Sequence, residues 1–225
     1  MLPDLSITRR RLRTPKAASA AGIIFSVLLA FIFWLFRMSI PADPLEPGAW
    51  LAAHTRPVTL ALNLVPFAGV AFLWFVGVLR DRLGDSEDRF FATVFFGSAL
   101  LFLATLFAAA AVIGAVILAF ASQPGEFANT PAFHFARAVA YSLVNVYAIK
   151  MAAVFMFSTS VVAFHTGFAP RWTSYLGFAL ALVLLIGSGF IDGSVLVFPL
   201  WVLMVSICIL VDNLSPAASQ HLKEP

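Results

Sequence analysis

The chain has 225 residues, of which 61% are hydrophobic and only 11% charged, and its mean hydropathy is +0.96. A soluble domain carries about 25% charged residues, so a water-soluble globule is excluded and a helical membrane protein is expected. The formal net charge of +3 matters less than its placement.

Arg9, Arg10, Arg11, Arg13 and Lys16 crowd residues 1–16, just before a long apolar run. A tail this short and this close to a hydrophobic helix does not read as a nucleic-acid module. It reads as a cytoplasmic anchor on the anionic head groups of membrane lipids. The stretch TRRRLR resembles a twin-arginine export signal. However, the apolar run is long for a signal core, no A-x-A site follows it, and further spans come later. An uncleaved first helix is the expectation.

An all-α polytopic bundle follows, with six predicted spans at about residues 17–40, 57–79, 90–120, 135–164, 172–190 and 193–211, each near the ~20 residues a bilayer requires. Together they form one transmembrane domain, residues 17–213, ahead of a short cytoplasmic tail, 214–225. The third span, at roughly 46 Å for a 1.5 Å rise per residue, exceeds a ~30 Å hydrocarbon core and must tilt or project. The turn at Asp192-Gly193 is short enough that the last two spans could be one broken segment, giving a five-span alternative.

Orientation follows from lysine and arginine. With the N-terminus inside, the inner segments hold Arg9, Arg10, Arg11, Arg13, Lys16, Arg80, Arg82, Arg89, Arg171 and Lys223, against Arg56 and Arg137 outside. Both termini are therefore expected in the cytoplasm of a bacterium, and the chain in its cytoplasmic membrane. The inner loop RDRLGDSEDRF (Arg80 to Phe90) reads as helix-hairpin chemistry: Gly84 as a C-cap, Asp85 or Ser86 as an N-cap, and acidic residues in the next first turn. Trp34, Trp50 and Trp172 suit aromatic belts at the interfaces. The 24 phenylalanines suit lipid-facing surface. Small residues at four-residue spacing, Ala104 and Ala108, then Ala111, Ala115 and Ala119, and again Gly177 and Ala181, predict close helix packing within the chain or in a homo-oligomer.

Catalytic constellations are missing from the sequence. His54, His134, His165 and His221 all lie away from span centres, and no two are four residues apart, so no metal or haem site is expected. IGSGF (Ile186 to Phe190) lacks the first glycine of a rhomboid-type G-x-S-G, and no histidine follows in the last span. The eleven acidic residues fall at span ends, in loops or in tails, and there is neither a P-loop nor a dinucleotide fingerprint. The lone Cys208 forms no intrachain disulfide. No cofactor is expected, and the chain reads as non-enzymatic.

Lys150 is the one clue to function. It interrupts the run YSLVNVYAIKMAAVFMF (Tyr141 to Phe157). A lysine at a span centre costs ~2.5 to 3.5 kcal/mol on the insertion scale, and such residues are functional candidates by default. Taking Arg137 as the outer boundary puts Lys150 ~20 Å down. Snorkelling would not bring it fully to water. Asn145 and Asn63 fall at one depth on helices of the same direction. Arg137, Tyr141 and Asn145 share a face at i, i+4, i+8, and Tyr147 precedes Lys150 by three. A candidate ligand-binding cluster is therefore Lys150, Asn145, Asn63, Tyr147 and Tyr141. It is either self-satisfied or a site for an exogenous anion.

The motifs APRWTSYLGF and LVFPLW, carried by Pro170, Arg171, Trp172 and Phe198 to Trp201, resemble a pattern in small uncharacterised bacterial membrane proteins of about six spans. The resemblance covers about the last third of the chain and implies no activity. The sequence thus points to a membrane-embedded binding or accessory protein. The alternative is a transporter of a small solute or lipid through the same pocket.

Overall fold

The computed structural model describes residues 15–41, 43, 46, 48, 50–83, 89–122, 127–167, 169–187 and 193–214. All described regular structure is helical. The elements are α1 (Pro15–Ser39), α2 (Trp50–Leu83), α3 (Arg89–Ser122), a 3-10 turn (Phe127–Asn129), α4 (Pro131–Ser142), a π-helical segment (Leu143–Ala148), α5 (Ile149–Thr166), α6 (Arg171–Gly187), a second 3-10 turn (Ser194–Leu196) and α7 (Val197–Leu214). Five rods are long and apolar enough to cross a membrane, α4 to α5 counting as one, and α6 is a shorter apolar helix. The upper end of the bundle is where α1, α3 and α6 finish and α2, α4 and α7 begin.

The exterior confirms what composition implies. In α3, whose sequence is uncharged from Phe90 to Phe120, only 28% of the apolar window is buried inside the bundle. Leu118, Phe135, Ile186 and Trp74 are each at least 70% exposed. A surface of this kind is stable in hydrocarbon and not in water.

The interior is aromatic. Phe25 of α1, Phe72 of α2, Phe102 of α3, Phe155 of α5 and Phe198 of α7 are all buried and converge on one another. Ring centroids lie 4.6 Å apart for Phe25–Phe72, 5.2 Å for Phe72–Phe155 and 4.9 Å for Phe102–Phe198. Most contacts are edge-to-face or tilted, the arrangements the ring quadrupole favours. Phenylalanine thus serves both environments: Phe67, Phe107 and Phe135 face outward, as expected of a lipid-facing surface, while these five fill the interior. One ring from each of five helices makes the bundle's core, because without a strong hydrophobic drive between helices in lipid, shape and ring contact must hold them.

Small residues set the closest approaches. A Cβ on Gly22 would overlap Ser206 Oγ of α7 and lie 2.8 Å from the Phe75 ring of α2; a Cβ on Gly177 would overlap Ser160 Oγ of α5 and meet Trp201 Nε1 of α7 at 3.0 Å. The pair Gly177 and Ala181 is buried, as a packing row requires. Ala104, Ala108, Ala111 and Ala115 of α3 are instead exposed and Ala119 is half-buried, so that row is not a buried seam among the described residues. Hydroxyls in α5 turn back on their own helix: Ser158, Thr159 and Ser160 donate to the carbonyls of Val154, Phe155 and Met156, which satisfies them in an apolar setting.

Helix ends follow local chemistry. α5 stops at Gly167, whose φ of 66° is left-handed and whose N–H reaches the Ala163 carbonyl at 2.9 Å. Thr130 caps α4, its Oγ1 accepting from the Phe133 N–H at 3.3 Å, with Pro131 next. α2 starts at Trp50, a full two turns ahead of the predicted Pro57, and carries Pro57 and Pro66 within it. Membrane helices tolerate such prolines. The caps expected of Gly84, Asp85, Ser86, Glu87 and Asp88 lie outside the described residues. At the end of α2 Arg80 sits 5.4 Å from the Phe96 ring centre, a packing contact between helices.

Gly22→Ala and Gly177→Ala should each lower stability by about 1–3 kcal/mol through overpacking. Gly97→Ala, whose Cβ would meet nothing within 4 Å, should be neutral or stabilising by up to about 1 kcal/mol through helix propensity. Thermal unfolding of the three variants in one detergent checks the contrast.

Candidate functional site

The upper end carries a second, smaller cluster. Leu51, Val116 and Phe133 are buried there, with Trp50, Phe120, Phe127 and Ala136 packed on them. The α1–α2 connection lies across this cap. The Gly48 N–H donates to the Ala128 carbonyl at 3.2 Å, and a Cβ on Gly48 would come within 2.8 Å of the Phe133 ring.

One side chain ties the connection down. Arg137 of α4 is only 9% exposed. Its Nη1 donates to the Glu46 carbonyl at 2.7 Å, and its Nη2 to the carbonyls of Pro41 and Asp43 at 3.1 and 3.0 Å. The guanidinium also lies over the Trp50 and Phe133 rings, 5.4 and 5.8 Å from their centres. A planar fork with five N–H groups suits this task, and an ammonium does not.

Between the cap and the phenylalanine core lies a cavity of ≈ 710 Å³. Its floor includes Val65, Leu106 and Leu200, its walls Phe33, Trp34 and Ile113, and its roof Trp50 and Arg137. The connection into α7 contributes Gly193 and Ser194. Charged and polar side chains are few among the described lining residues: Arg37, Arg137, Tyr141, Asn145 and Ser194, with no carboxylate among them, while the Glu46 and Asp43 carboxylates act on Arg137 from the connection. Arg37, in the last turn of α1, is exposed and has no hydrogen-bond or ion-pair partner among the described residues.

The π segment forms part of the wall through Val144 and Asn145. The Ile149 N–H points to the Val144 carbonyl, five residues back, and Asn145 Nδ2 donates to the Tyr141 carbonyl at 3.1 Å. A side chain that enters the backbone ladder in this way is a recognised cause of such irregularity. The wide turn adds a residue and shifts the helical phase between α4 and α5.

Of the five residues singled out in the sequence, the structure brings together Tyr141 and Asn145, which line the cavity. Lys150, Tyr147 and Asn63 do not line it, and all three are exposed on the bundle's exterior. The expected buried cation is therefore corrected: Lys150 faces outward. Its depth changes too. Phe164 against Tyr175, Ser160 against Gly177 and Phe157 against Phe178 fix the antiparallel register of α5 on α6, and continuing it carries Lys150 to the last turn of α6. The earlier depth took Arg137 as a boundary, but Arg137 is buried in a cap at the top of a 36-residue rod, Pro131–Thr166.

Sequence reasoning gave Arg37 no role and used Arg137 as a boundary marker. The signal for Arg137 was present in its i, i+4, i+8 alignment with Tyr141 and Asn145. Trp50, expected at an interface, packs on the cap cluster at the upper end of the bundle. His54 Nδ1 is paired with the Trp50 carbonyl of its own helix at 3.1 Å, and among the described residues no cluster of potential metal ligands occurs. A second space, of about 10 Å³, is bounded by Ser160, Ser174 and Trp201, room for about one water.

No protein-family model, curated protein or solved structure matches the chain. The site must be read from its own geometry.

Arg137→Ala should destabilise the protein by about 1–3 kcal/mol, because three part-buried carbonyls lose a charged donor and the Trp50 and Phe133 rings lose their partner. Arg137→Lys should recover only part of that loss. Thermal unfolding in detergent, with proteolysis of the α1–α2 connection as a local readout, checks both.

Proposed function

We propose that this chain is a non-enzymatic, membrane-embedded binding protein whose cavity takes the apolar part of a lipid-like ligand. The observation that carries the reading is the cavity itself: ≈ 710 Å³, walled by aliphatic and aromatic side chains with a few polar groups at one end. Ligand sites typically occupy about 300–1,000 Å³ with this kind of lining, whereas voids in packed interiors rarely exceed a water molecule.

In this reading the chain crosses the bacterial cytoplasmic membrane six times, with both termini inside and the upper end outside. The lysine and arginine distribution supports that orientation. α6, at 17 residues, spans ~26 Å, close to a hydrocarbon core. Lys150 and Tyr147, level with its upper end or just beyond it, then sit at the outer boundary of the lipid. An ammonium and a phenol are at home there. The cavity opens at that level, within reach of outer-leaflet chains.

A conduit is the competing reading. The five-ring core fills the bundle directly below the cavity, which favours a receptacle open at one end over a path across the membrane. Basic residues of the N-terminal tail hold the inner side to anionic lipid.

Filling the space tests the proposal. Ala110→Trp, at a partly buried lining position, should leave stability equal or higher while reducing binding of an acyl-chain probe at least tenfold. Equilibrium binding of a radiolabelled single-chain lipid to the purified protein reads this out. Equal binding by wild type and variant would retire the cavity as the site, and flux of the probe across sealed proteoliposomes would favour the conduit.

A further inference from the structure

Two guanidinium groups line the cavity, and they are in opposite situations. Arg137 is buried, and both of its terminal nitrogens are engaged by backbone carbonyls. It is a structural tie with little left to offer a ligand. Arg37 is exposed, lines the same space and has no partner among the described residues. Its position in the last turn of α1 complements the helix dipole, but a dipole does not satisfy five N–H donors. No acidic side chain is among the described lining residues to compete for them, and the nearby Glu46 and Asp43 carboxylates act on Arg137. On the cavity side Phe33, Trp34 and Phe36 flank the arginine, so the charge stands beside an apolar hole.

We propose that the ligand is an anionic amphiphile, an acyl chain ending in a carboxylate or a phosphate, and that Arg37 reads its head group. The inference rests on the binding reading above and adds the charge of the ligand to it. A guanidinium fork matches the two oxygens of a carboxylate or phosphate with paired hydrogen bonds, and charge-assisted bonds of this kind are the stronger ones. The chain then lies down the apolar wall toward Val65 and Leu200. Tyr141, Asn145 and Ser194 supply neutral dipoles near the roof. Lys150 plays no part in this recognition, since it lies outside the lining.

The test compares three chain-matched, radiolabelled probes on the purified full chain in a non-ionic detergent: palmitate, palmitoyl lysophosphatidylglycerol and monopalmitoylglycerol. The two anionic probes should bind about tenfold or more tighter than the neutral one. Arg37→Gln should erase that preference while leaving the neutral probe's affinity in place. Arg37→Lys should keep part of it, and Lys150→Gln should keep all of it. Tighter binding of palmitate marks a free fatty acid as the ligand class, and tighter binding of the lysophospholipid marks a membrane lipid. Both results support the proposal. It is overturned if the wild type does not discriminate, if Arg37→Gln keeps the preference, or if Lys150→Gln removes it. If none of the three probes binds, the cavity reading itself fails and takes this one with it. Unchanged thermal unfolding of Arg37→Gln would show that the fold is intact.

Discussion

The upper half of this protein depends on one guanidinium. Arg137 joins α4 to a connection 91 to 96 residues earlier in the chain, through three backbone carbonyls. Those carbonyls belong to a stretch with Pro41, Pro44 and Pro47, whose prolines have no N–H and cannot build a regular ladder. A side chain therefore does what secondary structure cannot. With the connection pinned, Trp50 and Phe133 close over it and the space below gains a roof. Arg37 of α1, at the wall of the same space, has no such engagement among the described residues. One arginine closes the cavity and the other stands at its wall.

The fold class was readable from composition, and the spans from apolar run length, because both depend on how much hydrocarbon-compatible surface a chain carries. Span edges were less readable. The second span was expected from about residue 57, yet the helix begins at Trp50 and tolerates the Pro57 ring. The role of phenylalanine was only half visible, because composition does not distinguish a lipid-facing ring such as Phe135 from one packed among other rings such as Phe72. That distinction rests on which helices meet, and contacts such as Phe25–Phe198 join positions far apart in sequence.

The candidate site was half legible. Tyr141 and Asn145 fall on the cavity because an α-helical phase relates them to Arg137. Lys150 lies beyond a π segment that breaks this phase, so periodicity could not say which way it faces. Its apolar sequence neighbours suggested burial, and in a lipid-exposed helix the same neighbours describe the outer surface. The importance of Arg137 was hidden because its partners are backbone carbonyls, which carry no signature in a sequence. Nothing in the sequence marks Arg37 out, and only the cavity beside it distinguishes it.

The brevity of α6 has a mechanical consequence. Its 17 residues, ~26 Å at a 1.5 Å rise, stand beside a rod of 36. In a bilayer only one of the two can match the hydrocarbon thickness, and the longer must tilt or carry its excess into the head-group layer, each ångström of mismatch costing a fraction of a kcal/mol. Lipid packed around helices of such unequal reach meets a different apolar height on each flank.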